Sequence, residues 1–191
     1  VAAGVEDVGG LQHLLELVSR IQVALYTGTA ERLVPYVDDL WRRLERARML
    51  DSVVHRWPAL YSRARLLLGA AAETHRPTAA RALRRRADRD IQRLARLPSQ
   101  TAAALAPLLA GTLAAQRGDP RAALSQLQAA EHACRSQRLA LTQMAALHLR
   151  GELLGGDAGR RHQAEAEARL GREAIERPAL MAFLLAPYRR P

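Results

Sequence analysis

Apolar residues recur along most of this chain at steps of three and four, the period of an amphipathic helix. Leu14, Leu17, Val18, Ile21 and Leu25 mark a first helix over 11–27. Gly28-Thr29 ends it, and Thr29 is placed to cap the next. That second helix covers 30–50, with Leu33, Val37, Leu40, Trp41, Leu44 and Ala47 as its stripe. Pro35 is tolerated there if it falls in the first turn. Asp51-Ser52 breaks the pattern. A third helix follows over 53–72, where Pro58 is expected to kink or split it. Residues 74–78 read as a loop. The fourth helix covers 79–97, with Ala80, Leu83, Ala87, Ile91, Leu94 and Ala95 inward.

The second half repeats this grammar. A fifth helix spans 100–117, or starts at Pro107 with that proline in its first turn. Gly118-Asp119-Pro120 then combines a turn, a cap and a first-turn proline. Helices over 120–135, 140–154 and 160–175 come next, the last two separated by the Gly-rich turn 155–159. Residues 178–185 add a short final helix, closed by Pro187. Residues 1–10 carry three glycines and little pattern, so they read as a flexible N-terminal segment or linker remnant.

Ala123, Leu127 and Ala130 are matched by Ala166, Leu170 and Ala174 to within one position, an echo at 43 residues. Arg117-Gly118-Asp119 corresponds to Gly155-Gly156-Asp157. Tetratricopeptide units repeat at about 34 residues, and longer helices lengthen the period. Small and large residues at Gly111, Gly118, Ala123, Leu127 and Ala130 follow that spacing, with Ala or Leu in place of the consensus aromatics. The expected fold is all-α: a tetratricopeptide-like right-handed solenoid of antiparallel hairpins. Residues 11–187 would form one repeat domain of about four hairpins plus a terminal cap. A groove lined by the first helix of each hairpin would be its binding face.

Composition agrees with this picture. The chain of 191 residues holds 38 Ala and 32 Leu, and extended-strand formers are sparse. The core must therefore be Leu packed on Ala. All 29 basic residues are Arg, and the formal net charge is +10. Such a balance attracts nucleic acid or acidic partners. Equally, Arg is a good helix former whose stem covers apolar surface. Cys134 is the single cysteine, so no intrachain disulfide forms and a cytoplasmic location is expected. No apolar run reaches the length of a membrane span. Val1 stands first and no signal peptide is evident, so the chain is expected to be a segment of something larger or a processed product.

Segments over 108–187 resemble the C-terminal helical region of large bacterial, myxobacterial-type Ser/Thr protein kinases and related multidomain regulators. LAAQRGD before an AAL helix, RGELLGGDAGR, AEAEARL and the tail RPALMAFLLAP carry the likeness. Arg177 and Leu180 depart from the tail pattern. Upstream, IQVALYTGTAERL is similar to the start of that region, with Thr29 where an Asp often stands. The resemblance implies a tetratricopeptide-like sensor or docking region downstream of an enzymatic domain. Kinase signatures are missing from these residues: no Gly-rich loop followed by a strand Lys, no HRD-type loop and no DFG.

Chemistry is thinly represented. None of the six histidines has a partner at ligand spacing, so no metal site and no cofactor are expected. Cys134 lacks a nearby base and a polarised setting, which argues against a nucleophile. The turn over 155–159 follows a helix, not a strand, which favours a hairpin turn over an anion nest. No enzymatic activity is expected of the segment.

One charged feature stands out. Arg81, Arg85, Arg89, Arg93 and Arg96 step by four or three along the fourth helix and share a face. An ordinary solvated face competes with an acidic protein partner, and nucleic acid ranks below both because no aromatics lie nearby for base stacking. Trp41, Trp57 and Tyr61 are candidate binding anchors if partly exposed on the concave side, and gap fillers between hairpins otherwise. The expected function is a protein-protein interaction, sensor or scaffold module of a bacterial signalling protein. Its partner would be another protein or another domain of the parent chain. The alternative is a nucleic-acid-binding or transcription-regulatory module using the Arg-rich helix over 76–96.

Overall fold

The computed structural model describes residues 3–189, with side chains described over 11–189. Among them are nine α-helices: α1 (Ala3–Thr27), α2 (Ala30–Arg46), α3 (Val53–Glu73), α4 (Pro77–Ala95), α5 (Gln100–Gln116), α6 (Pro120–Ser136), α7 (Ala140–Leu154), α8 (Gly156–Arg172) and α9 (Pro178–Leu185). A single 3-10 turn, Met49–Asp51, lies between α2 and α3. No strand occurs among the described residues. Helix α1 begins at Ala3, so residues 3–10 are helical where an unpatterned segment is expected from sequence. Val1 and Ala2 lie outside the described residues.

Most helix packing is between neighbours in sequence, though α1 packs at least as closely on α3 as on α2, and α9 packs more on α7 than on α8. The odd-numbered helices also touch one another, α1 on α3, α3 on α5 and α5 on α7, and so form one layer. This layering follows from composition. Residues 64–71 of α3 are buried all round, as are most of α5, so both sit inside the stack. Helices α4, α6 and α8 bury only a narrow stripe each, such as Ala123, Leu127, Ala130 and Cys134 on α6.

Four of the turns share one device. At Gly28, Gly118, Arg138 and Ala174 the backbone is left-handed, with φ of 73°, 78°, 57° and 58°. In each case the next amide donates back five residues: Thr29 to Ala24 (2.9 Å), Asp119 to Ala114 (3.0 Å), Leu139 to Cys134 (2.9 Å) and Ile175 to Leu170 (3.2 Å). This is the Schellman closure, which satisfies a terminal carbonyl and stops the helix. The Asp119 carboxylate caps α6 by accepting from the Ala122 amide at 2.9 Å, and Pro120 is the first helical residue. Thr29, by contrast, makes no capping bond. Its hydroxyl pairs with that of Thr27.

Two interior prolines depart from expectation, and the third settles an alternative. Pro35 falls in the second turn of α2, and α3 runs unbroken through Pro58. Helix α5 starts at Gln100, not at Pro107, because the Ser99 hydroxyl caps it by accepting from the Ala102 amide at 3.3 Å. Each proline removes one helical hydrogen bond, and tertiary packing holds the rest. The 43-residue echo also holds only in part. Ala166 and Leu170 are buried like Ala123 and Leu127, but Ala174 is exposed and lies beyond the end of α8.

Helix α9 packs on α7 and α8 and reaches α1. Its Leu180, Phe183 and Leu184 join the same core cluster as residues of α1 to α5. Arg65 on α3 donates from Nη1 to the Leu184 carbonyl at 3.0 Å and to Gln22 Oε1 at 3.2 Å. Gln116 on α5 donates from Nε2 to the carbonyls of Pro187 (2.7 Å) and Leu68 (2.9 Å). Side chains of α9 and the residues after it thus pack against the odd-helix layer, the layer along which an open groove is expected from sequence.

Candidate partner-binding surface

The arginine row singled out from the sequence lies on the outer helix α4, away from the face that α9 packs against. Helix α4 forms because its buried positions, Ala80, Leu83, Ala87, Ile91 and Leu94, recur at helical spacing against α3. Ala95, expected inward, is exposed. Opposite that stripe stand Arg81, Arg85, Arg89, Arg93 and Arg96, all exposed. At 100° per residue the five fall within an arc of about 120°, and at 1.5 Å rise the row is about 22 Å long.

Neither carboxylate on α4 neutralises this row. Asp90 is buried and takes a two-pronged pair from Arg63 on α3, Nε at 2.7 Å and Nη2 at 2.6 Å. Asp88 accepts from Arg117 at 2.6 Å. Two other arginines of the same segment are also paired, Arg76 with Glu31 (2.6 Å) and Arg86 with Asp38. The guanidinium groups of Arg81, Arg85, Arg89, Arg93 and Arg96 have no hydrogen bond or ion pair among the described residues. Five neighbouring like charges without counter-charge raise the local potential, which is a cost the free chain bears and an anionic partner relieves.

The aromatic candidates behave differently. Trp41 is only 6% exposed and Tyr61 only 8% exposed, so neither is an exposed anchor on an inner groove. Both fill gaps between hairpins. Trp41 lies under the Arg63 guanidinium, 3.3 Å from ring centroid to Cζ, and its Nε1 donates to Glu45 at 2.7 Å. Tyr61 lies beside Arg65 at 4.6 Å. Trp57 is half-buried against the core. The run Trp41–Arg63–Asp90 therefore ties α2, α3 and α4 together and fixes how α4 presents its outer face.

A cleft of about 520 Å³ opens at the C-terminal end of the Arg row, lined by Trp41, Leu50, Leu60, Leu97, Arg93 and Arg96 among others. Sequence reasoning missed it, because the wall is assembled from four separate segments. The only signal was that Leu97 breaks the polar pattern just beyond α4.

Elsewhere the chemistry stays sparse. No group of three or more His, Cys, Asp or Glu among the described residues is placed to hold a metal ion. Cys134 is buried against the Ala104 carbonyl, and burial pushes its thiol up to about 11. Burial also raises Glu152 above the ordinary carboxylate value. No helix among the described residues is long and apolar enough to cross a membrane. Comparison with protein-family models, with curated proteins and with solved structures finds no match.

Proposed function

We propose that this chain is a non-catalytic protein-binding scaffold, a tetratricopeptide-like right-handed stack in the region downstream of an enzymatic domain of a bacterial signalling protein. The observation that carries this reading is the row Arg81, Arg85, Arg89, Arg93 and Arg96, exposed and unpaired while the neighbouring Arg76 and Arg86 are engaged by acids. Such a row suits an acidic face of a protein partner or of another domain of the parent chain. The fixed platform beneath it, α3 with its buried Arg63–Asp90 pair, supports a docking role better than a moving one.

The test compares the unaltered chain with the double variant Arg85→Glu, Arg89→Glu in capture of partners from the source cell. Both side chains are exposed, so the fold is retained and partner recovery is expected to fall at least about tenfold, as for rim charges reversed at steered interfaces. Unchanged recovery of every partner contradicts the role given to this face. Duplex DNA serves as the competing ligand. Binding that falls steeply with salt, and more tightly than any protein partner, would favour the regulatory alternative.

A further inference from the structure

We infer that the cleft at the end of the α4 arginine row is an anchor pocket for a single large apolar side chain carried by an extended acidic segment of a partner. This deepens, and rests on, the scaffold reading above. The apolar lining of the cleft is the half-buried Leu97 with the edges of Trp41, Leu50 and Leu60, which are otherwise buried in the core. Five charged side chains face it. Glu45 is engaged by the Trp41 indole, and Asp51 by Arg48 at 2.8 Å. Arg56 donates to the Leu50 and Asp51 carbonyls. Arg93 and Arg96 alone among these five hold no partner. The unsatisfied charge in the lining is thus cationic, and it stands beside an apolar part made of Trp41, Leu50, Leu60 and Leu97.

Continuity with the row sets the length of the ligand. From Arg81 to Arg96 is about 22 Å, which an extended peptide of about seven residues spans. Carboxylates along such a segment meet the row, and the terminal apolar side chain enters the cleft. Nucleic acid fits this combination poorly, because its phosphates satisfy the row but place no aliphatic group at the wall.

The test uses fluorescein-labelled peptides at low salt: seven glutamates, and six glutamates with a phenylalanine at either end. The full chain is titrated with each. One of the two phenylalanine peptides is expected to bind about tenfold more tightly than heptaglutamate, the effect of burying one aromatic side chain only in part. The variant Leu97→Asp abolishes that difference, and Arg93→Gln with Arg96→Gln weakens all three peptides. In the unaltered chain, the methyl resonances of Leu50, Leu60 and Leu97 shift with the tighter peptide and not with heptaglutamate, a readout that survives misfolding of any variant. Equal binding of all three peptides, or unmoved methyl resonances, overturns the pocket. Heptaglutamate binding that is still lost in the Arg85→Glu, Arg89→Glu variant would then leave the scaffold reading standing. Failure of every peptide to bind at low salt, or tighter binding of a 20-base-pair duplex (a length of about 68 Å), overturns both.

Discussion

Arg65 on α3 reaches the carbonyl of Leu184 on α9 at 3.0 Å, across 119 positions of sequence. It is 4% exposed, and no carboxylate accompanies it among the described residues. A terminal carbonyl of α9 supplies the negative end of a helix dipole in place of an acid. Together with Gln116 on the Pro187 carbonyl, this contact holds the last helix over the odd-helix layer.

Replacing Arg65 separates the two roles of that contact. Desolvation lowers the guanidinium affinity for its proton, and a buried charge without a salt partner is weak support for global stability. Arg65→Met is expected to change global stability little, within about 1–2 kcal/mol and in either direction. Hydrogen exchange should nevertheless quicken in α9 while α3 keeps its protection. Chemical denaturation followed by circular dichroism, paired with residue-level exchange, checks both halves.

Arg138 and Ala174 hold left-handed backbone at the Schellman positions where Gly28 and Gly118 stand in the other two turns. Glycine carries no Cβ penalty in that region. Arg138→Gly and Ala174→Gly are each expected to stabilise the chain by about 1 kcal/mol. A higher thermal midpoint for each, adding in the double variant, is the expected measurement.

Helices α7 and α8 cross with backbone against backbone. A Cβ on Gly151 would sit 2.7 Å from the Gly159 carbonyl oxygen, and one on Gly159 would sit 2.4 Å from the Gly151 carbonyl oxygen. Alanine gains about 1 kcal/mol in helix propensity over glycine, whereas overpacking costs about 1–3 kcal/mol. Since the obstructing atoms are backbone, the larger cost is expected to win. Gly151→Ala should lower stability by about 1–2 kcal/mol net, by urea denaturation. A stabilised Gly151→Ala chain would show that the two helices do not approach this closely.

The thiol of Cys134 reports on the same core. Its folded value of about 11 lies above its ordinary 9.0, because burial disfavours the thiolate. A raised value means the contribution to stability is fully present below pH 9 and is lost as pH rises from 9 towards 11. A disulfide reagent at neutral pH is therefore expected to label the folded chain very slowly and the denaturant-unfolded chain at once.

Much of the architecture was legible in the chain, for identifiable reasons. Gly28 and Gly118-Asp119-Pro120 announce turns because their residue types are those that left-handed backbone and capping require. Ala123 and Leu127 announce a buried stripe by spacing alone. The break around Arg138 was legible, but its left-handed backbone was not, and Ala174 hid the end of α8, since neither residue type favours positive φ. The start of α5 at 100 was legible too, and Pro107 left an alternative that the Ser99 cap decides against. The arginine row was legible because it follows one helix face, but its lack of counter-charge depends on where Asp88 and Asp90 turn. Trp41 and Tyr61 showed size without direction. The covering of the odd-helix layer by α9 rests on contacts such as Arg65 to Leu184, which no local pattern encodes.

Hydrogen exchange of the α9 amides in the full, unaltered chain tests the covered-face account most directly. The Ala186 amide donates to the Ala182 carbonyl at 2.9 Å, and Phe183 and Leu184 are buried in the core. Protection of the 182–186 amides close to that of α3 is the predicted result. Exchange at the rate of a frayed terminus, with α3 still protected, would show that α9 does not cover the layer and that the inner face is open to solvent.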